Sequence, residues 1–148
     1  MNYESVIHDF AERTRKNLRI IEKLQAKGDE AYEVTQLLNS MLGLLVFPRE
    51  RFIDRIPQTS LGDLEAGGWP VPQVLGDFPQ ARDLRELVRY LRNAIAHFNI
   101  EFIGEKIQSV KVWNTKNGRT TWKAEIGVEE LRAIAERFTD LLLSNGCQ

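Results

Sequence analysis

The chain has a single cysteine, Cys147, so no disulfide can form within it, and a reducing, cytoplasmic setting is expected. It has only two histidines and neither a CxxC nor an HExxH spacing, so none of the common zinc motifs is present. Long apolar runs are missing too. The longest, MLGLLVF at 41–47, falls far short of the roughly 20 residues a membrane helix needs. The stretch MNYESVIHDFAERTRKN lacks the apolar segment of a secretory signal. Neither charge dominates: 20 Lys and Arg face 21 Asp and Glu, a net charge of −1. The chain is therefore no polycation, and contact with nucleic acid would need a local basic patch. Proline is absent outside 48–79, where all five prolines lie, together with Gly62, Gly67, Gly68 and Gly76.

What is present suits one soluble domain over residues 1–148. The hydrophobic share is 43% and the charged share 28%, which is ordinary for a globular chain of a size that builds its own core. Residues 3–27 place Val6, Phe10, Leu18, Ile21 and Leu24 at helical spacing. The other side carries Arg15, Lys16, Arg19, Lys23 and Lys27, and Gly28 ends the helix. A solvated helix face is the better reading of that basic side, ahead of an RNA guide. Residues 30–46 form a second helix with Val34, Leu37, Leu38, Met41, Leu42 and Leu45 inward. The short connection makes the two helices a hairpin. In this block Gln36 and Asn39 read as buried polar groups in need of partners.

The proline-rich segment is a long connection with room for one short helix near 49–54 or 60–65. Trp69, Val71, Val74, Leu75 and Phe78 give it reason to pack on the body. A third helix covers 80–98, opened by Pro79, with Leu84, Leu87, Val88, Leu91, Ile95 and Phe98 inward. SVKVWNT and RTTWKAEI then flank KNG, and Asn117-Gly118 is a strong hairpin signal. A plain two-residue turn there sets Trp113 opposite Trp122. The last helix begins near Val128 and buries Leu131, Ile134, Ala135, Phe138 and Leu142. The fold expected is mainly α: a four-helix bundle with a β-hairpin between the last two helices and a long Pro/Gly-rich loop between helices two and three.

One segment carries chemistry. ELVRYLRNAIAHFNIEF, 86–102, places Arg92, Asn93 and His97 at the end of the third helix. Histidine exchanges protons near neutral pH. Arginine clamps phosphate oxygens and keeps its charge. Asparagine donates to phosphate or orients an imidazole. The set suits RNA cleavage by the 2′-hydroxyl, with no metal or cofactor required. Five helical steps of about 100° separate Arg92 from His97, which leaves them roughly 140° apart around the axis. Asn93 and His97, four apart, share a face, and Arg82, Glu86, Arg89 and Tyr90 extend it. A second copy could supply the missing half of the site. The bare Arg-x4-His spacing is common by chance, and on spacing alone His97 as a helix cap beside a solvated Arg92 is the better reading.

LRNAIAHFNIEF resembles the motif of the HEPN superfamily (higher eukaryotes and prokaryotes nucleotide-binding domains): Arg, a polar residue, a spacer, then His, late in the third helix of a bundle. VTQLLNSMLGLLVFPRE at 34–50 and LRNAIAHFN at 91–99 are similar to blocks of a stand-alone, plasmid-type prokaryotic HEPN group. The resemblance implies a metal-independent endoribonuclease acting as a homodimer, in a toxin–antitoxin or phage-defence system, with an RNA substrate and an antitoxin or inhibitor protein as partner. It assigns Arg92 and His97 as the catalytic pair and Asn93 as the accessory residue. Arg89 and Asn99 flank them. Some HEPN toxins carry a tyrosine two residues past the histidine, which a partner nucleotidyltransferase modifies; here that position is Asn99, so that mode of control is not supported. The alternatives are a non-catalytic HEPN module that binds nucleotide, nucleic acid or a partner protein, and a purely structural dimer.

Overall fold

The computed structural model describes residues 3–46 and 53–145. Among them are five helices and a four-stranded antiparallel sheet, 54% helix and 19% strand, so the expected bundle with one hairpin is corrected to an α+β fold. The helices are α1 (Tyr3–Ala26), α2 (Glu33–Met41, continued by a π-helical turn Leu42–Val46), α3 (Leu61–Ala66), α4 (Leu84–Ala96) and α5 (Val128–Asn145). The strands are β1 (Gln73–Val74), β2 (Ile100–Ile103), β3 (Ser109–Lys116) and β4 (Arg119–Gly127), in the order β1-β4-β3-β2.

α1 packs on α2 and α5, the π-helical turn packs on α4, and α4 lies against β3. Leu37, Met41, Leu44, Leu45, Leu87, Leu91 and Leu142 are among the buried side chains that join these layers. The inward face of α1 differs from the periodic expectation. Ile7, Ala11 and Leu18 are buried, while Val6, Phe10 and Leu24 are exposed. Asn39 is also exposed, and the buried polar group of α2 is Ser40, whose hydroxyl donates to the Gln36 carbonyl at 2.8 Å. The layers are tied by charge as well. Arg132 on α5 pairs with Glu22 on α1 (2.9 Å), with Glu33 at the start of α2 and with Glu129.

The connection before α4 packs on the body, with Ile53, Ile56, Leu64 and Ala81 buried. Ser60 caps α3 by accepting from the Asp63 N–H at 3.3 Å. α4 starts later than Pro79 implied. Asp83 is its N-cap and accepts from the Glu86 N–H at 2.9 Å, which satisfies a donor that the proline could not.

Two strands were not expected. β1 is a two-residue addition from the loop that pairs Gln73 with Glu125 and Val74 with Ala124. β2 follows α4 almost at once and pairs Ile100 with Val112 and Phe102 with Val110. Gly104, at φ +95, turns the chain back toward β3. A Cβ there would lie 2.9 Å from the Lys106 carbonyl oxygen, so the turn needs glycine. The β3–β4 turn at Asn117 (φ 52) and Gly118 (φ 75) is as expected, but the register beyond it is not. A shift between Asn114 and Thr115 pairs Asn114 with Trp122 and Trp113 with Lys123. One extra residue on β4 turns Trp122 to the inner face, where it is buried against Tyr90 with ring centroids 5.2 Å apart. Trp113 stays on the outer face, so the two indoles do not meet.

No helix among the described residues is long and apolar enough to cross a membrane.

Candidate active site

The site forms where α4 stops. His97 is the C-cap (φ −93, ψ 2), and its N–H donates to the Asn93 carbonyl at 3.1 Å. The next residue, Phe98, takes the left-handed conformation with φ 53. Its N–H donates to Ile95 O (3.1 Å), and the Asn99 N–H donates to Ala94 O (2.8 Å). These two bonds close a Schellman cap in which phenylalanine holds the place usually given to glycine. Phe98 was expected in the buried stripe. Instead the left-handed turn swings it outward, 71% exposed. The Asn99 carbonyl then accepts from the Trp113 N–H at 3.2 Å, so the helix end is stitched to β3.

This stitching produces a cavity of about 530 Å³ lined by Asn93, His97, Asn99, Asn114 and Thr115. Asn93 and His97 meet there because they are one helical turn apart, as their spacing predicted. Asn99 joins them through the cap. Asn114 and Thr115 come from β3 and were missed. The signal for Asn114 was a polar residue at an inward position of the alternation Val110, Val112, Asn114. Its Nδ2 donates to the Tyr90 carbonyl at 3.2 Å, which fixes the amide against α4. The Tyr90 hydroxyl donates to Glu86 at 2.7 Å, and Arg82 pairs with the same carboxylate at 2.8 Å. Burial, then the bond to Glu86, pushes the Tyr90 phenol up to about 12. Burial acts to raise Glu86, but the bonds from Tyr90 and Arg82 outweigh it and hold the carboxyl below its usual range.

The two arginines named with the motif lie elsewhere. Arg92 is half-buried and does not line the cavity, consistent with the angle that separates it from His97. Arg89 pairs with Asp54 at 2.7 Å, which ties α4 to the preceding loop. The histidine and the amides are thus together in one chain, and the cations of the motif are apart from them.

Other candidates resolve into structure. Arg15 pairs with Glu136 (3.0 Å) and Asp140, Arg19 reaches Glu136 at 3.6 Å, and Lys16 reaches Glu12 at 3.3 Å. On the basic side of α1, Arg15 and Arg19 thus bind α1 to α5, while Lys16 pairs within α1. His8 lies beside them, in a smaller cleft with Glu12, Arg15 and Lys16. Arg49, Glu50 and Arg51, which from sequence are expected to anchor a loop by ion pairs rather than bind substrate, lie outside the described residues. Among the described residues, no group of three His, Cys, Asp or Glu side chains is placed to hold a metal ion.

Compared with known proteins, the chain matches the family model described as HEPN pEK499 p136 over residues 1–148. No curated protein matches it. No solved structure matches it either.

Proposed function

The chain belongs to the HEPN pEK499 p136 family, and from that premise we propose that it is a metal-independent endoribonuclease, active as a homodimer, serving a toxin–antitoxin or phage-defence system. The observation that carries this reading is the cavity that gathers His97, Asn93, Asn99 and Asn114 while Arg92 stands outside it. In a dimer, Arg92 of the second copy supplies the missing cation. The amides then hold the phosphate and the flanking base by neutral hydrogen bonds. His97 takes the proton of the 2′-hydroxyl, which attacks the adjacent phosphorus. Arg92 stabilises the charge that gathers on the phosphorane oxygens. The 5′-oxygen leaves as the new chain end with a proton taken from water, His97 returns the proton it took to solvent, and a 2′,3′-cyclic phosphate remains. Phe98, exposed beside His97, gives the second copy an apolar surface to cover.

The test is cleavage of mixed RNA in EDTA by the wild type and by His97→Ala, with the fragment ends analysed. Cyclic phosphate ends that disappear in a folded His97→Ala support the reading. Equal cleavage by both proteins removes His97 from the chemistry. Nucleotide binding without cleavage by either protein favours the non-catalytic HEPN module, which the same amide-lined cavity also suits.

A further inference from the structure

The register shift in the hairpin separates two tryptophans that the sequence alone would have paired. Trp122 covers the core, whereas Trp113 lies on the outer face of the sheet, part-covered, opposite Lys123. The Lys123 ammonium stands 5.7 Å from the Trp113 ring centroid. Charge along the two strands of the hairpin is unevenly divided. In one cross-strand row, Lys111 is flanked by Glu101 and Glu125. The next rows of that face toward the turn hold Trp113 and Lys123, then Thr115 with Thr120; Lys116 and Arg119, the pair flanking the turn, alternate to the face of Asn114. From Lys111 to Lys123 the chain reads KVWNTKNGRTTWK, with four cations and no carboxylate, in a protein whose net charge is −1. The basic half is also the half that meets the cavity. Trp113 is bonded to Asn99, and Asn114 and Thr115 line the cavity wall.

We propose that the turn end of this hairpin is a track for single-stranded RNA, with a base stacked on Trp113 beside Lys123 and the following phosphates held by Lys116 and Arg119 where the strand crosses to the Asn114 side, leading it into the His97 cavity. An aromatic ring among cations on an open sheet is the arrangement by which proteins hold unpaired strands, because every base offers a face to stack and every phosphate a charge. Double-stranded RNA hides its base faces and does not fit the track. The destination of the strand rests on the ribonuclease reading; the binding surface does not.

The experiment uses a fluorescein-labelled RNA oligonucleotide of about 12 nucleotides, within the usual span of single-strand sites, with 2′-O-methyl groups that block cleavage. Its affinity is followed by anisotropy for the wild type, Trp113→Ala, Trp113→Phe, Lys123→Gln and the pair Lys116→Gln/Arg119→Gln. Trp113→Ala is expected to weaken binding about tenfold or more, with Trp113→Phe restoring most of it. The Lys116/Arg119 pair is expected to flatten the dependence of log affinity on log salt by about 0.7 per cation removed. Should Trp113→Ala unfold, the exposed Lys116/Arg119 pair and Lys123→Gln carry the test alone. Wild-type affinity in folded Trp113→Ala, or an unchanged salt slope in the Lys116/Arg119 pair, overturns the track even if His97-dependent cleavage is found. Binding that needs Trp113 in a protein that cleaves nothing sustains the track and overturns the ribonuclease reading. No binding by the wild type overturns the track.

Discussion

Replacing Phe98 by glycine and, separately, by alanine isolates the backbone strain at the end of α4. Phe98 sits at φ 53, where a Cβ costs about 1–2 kcal/mol. Its ring is 71% exposed, so the buried remainder, three-tenths of a side chain whose full burial contributes about 1.5–3 kcal/mol, stabilises by roughly 0.5–1 kcal/mol. Alanine loses that ring contribution and keeps the strain. Glycine loses the ring and relieves the strain, but its freer unfolded chain costs about 0.5–1 kcal/mol. The ring contribution cancels between the two variants. Phe98→Gly should therefore be more stable than Phe98→Ala by about 0.5–1 kcal/mol, or about 1–4 °C in Tm for a chain of this size. Urea denaturation at low protein concentration measures the difference, with m-values checked for equality. An alanine variant as stable as the glycine variant would refute the strain argument. If Phe98 is covered by a second copy, both variants should also lose the dependence of stability on protein concentration.

Arg132 is the second perturbation. Arg132→Met leaves Glu22 and Glu33, whose side chains are only 25% and 12% exposed, without their cation. Discounted for partial exposure, the loss should be about 2 kcal/mol in urea denaturation; under about 0.5 kcal/mol would show that water already screens the cluster. The third perturbation is alkaline pH. Tyr90 is pushed from 10.0 up to about 12 by burial and its bond to Glu86. A folded value above the unfolded one gives stability that is complete below pH 10 and lost as pH climbs through about 12. The wild type should lose stability over that window relative to Tyr90→Phe, measured as urea midpoints against pH. Parallel curves would mean that the phenol is not held as described.

The helices were legible because α2, α4 and α5 repeat apolar residues at a 3.6 period over two or more turns, and Asn117-Gly118 spells its own turn. β2 was not legible. It begins four residues past Ala96, and its apolar residues continue the pattern of the helix across a left-handed turn that phenylalanine rarely adopts. β1 holds only two residues and exists through its pairing with β4, which is a long-range fact. The register of the Trp113 strand depends on one inserted residue, and a one-residue slip exchanges the two faces of a strand. α4 begins at Leu84 rather than beside Pro79 because the Asp83 side chain caps it on the Glu86 N–H. In the site, the one-turn spacing of Asn93 and His97 carried the correct geometry, and the angle between Arg92 and His97 anticipated their separation. Asn114 and Thr115 reach the cavity only through the folding of β3 onto α4; the alternation of β3 marks Asn114 as a polar residue at an inward position, but not what it faces.

The most direct test of a site completed by a second copy is complementation. Arg92→Ala and His97→Ala are purified separately, mixed under exchange conditions and assayed on RNA in EDTA. Each variant alone should be inactive. The mixture should recover about a quarter of wild-type activity, because half the dimers are mixed and each of those holds one intact site. A mixture as inactive as its parents, with exchange shown by mass, would contradict an active site shared between two chains.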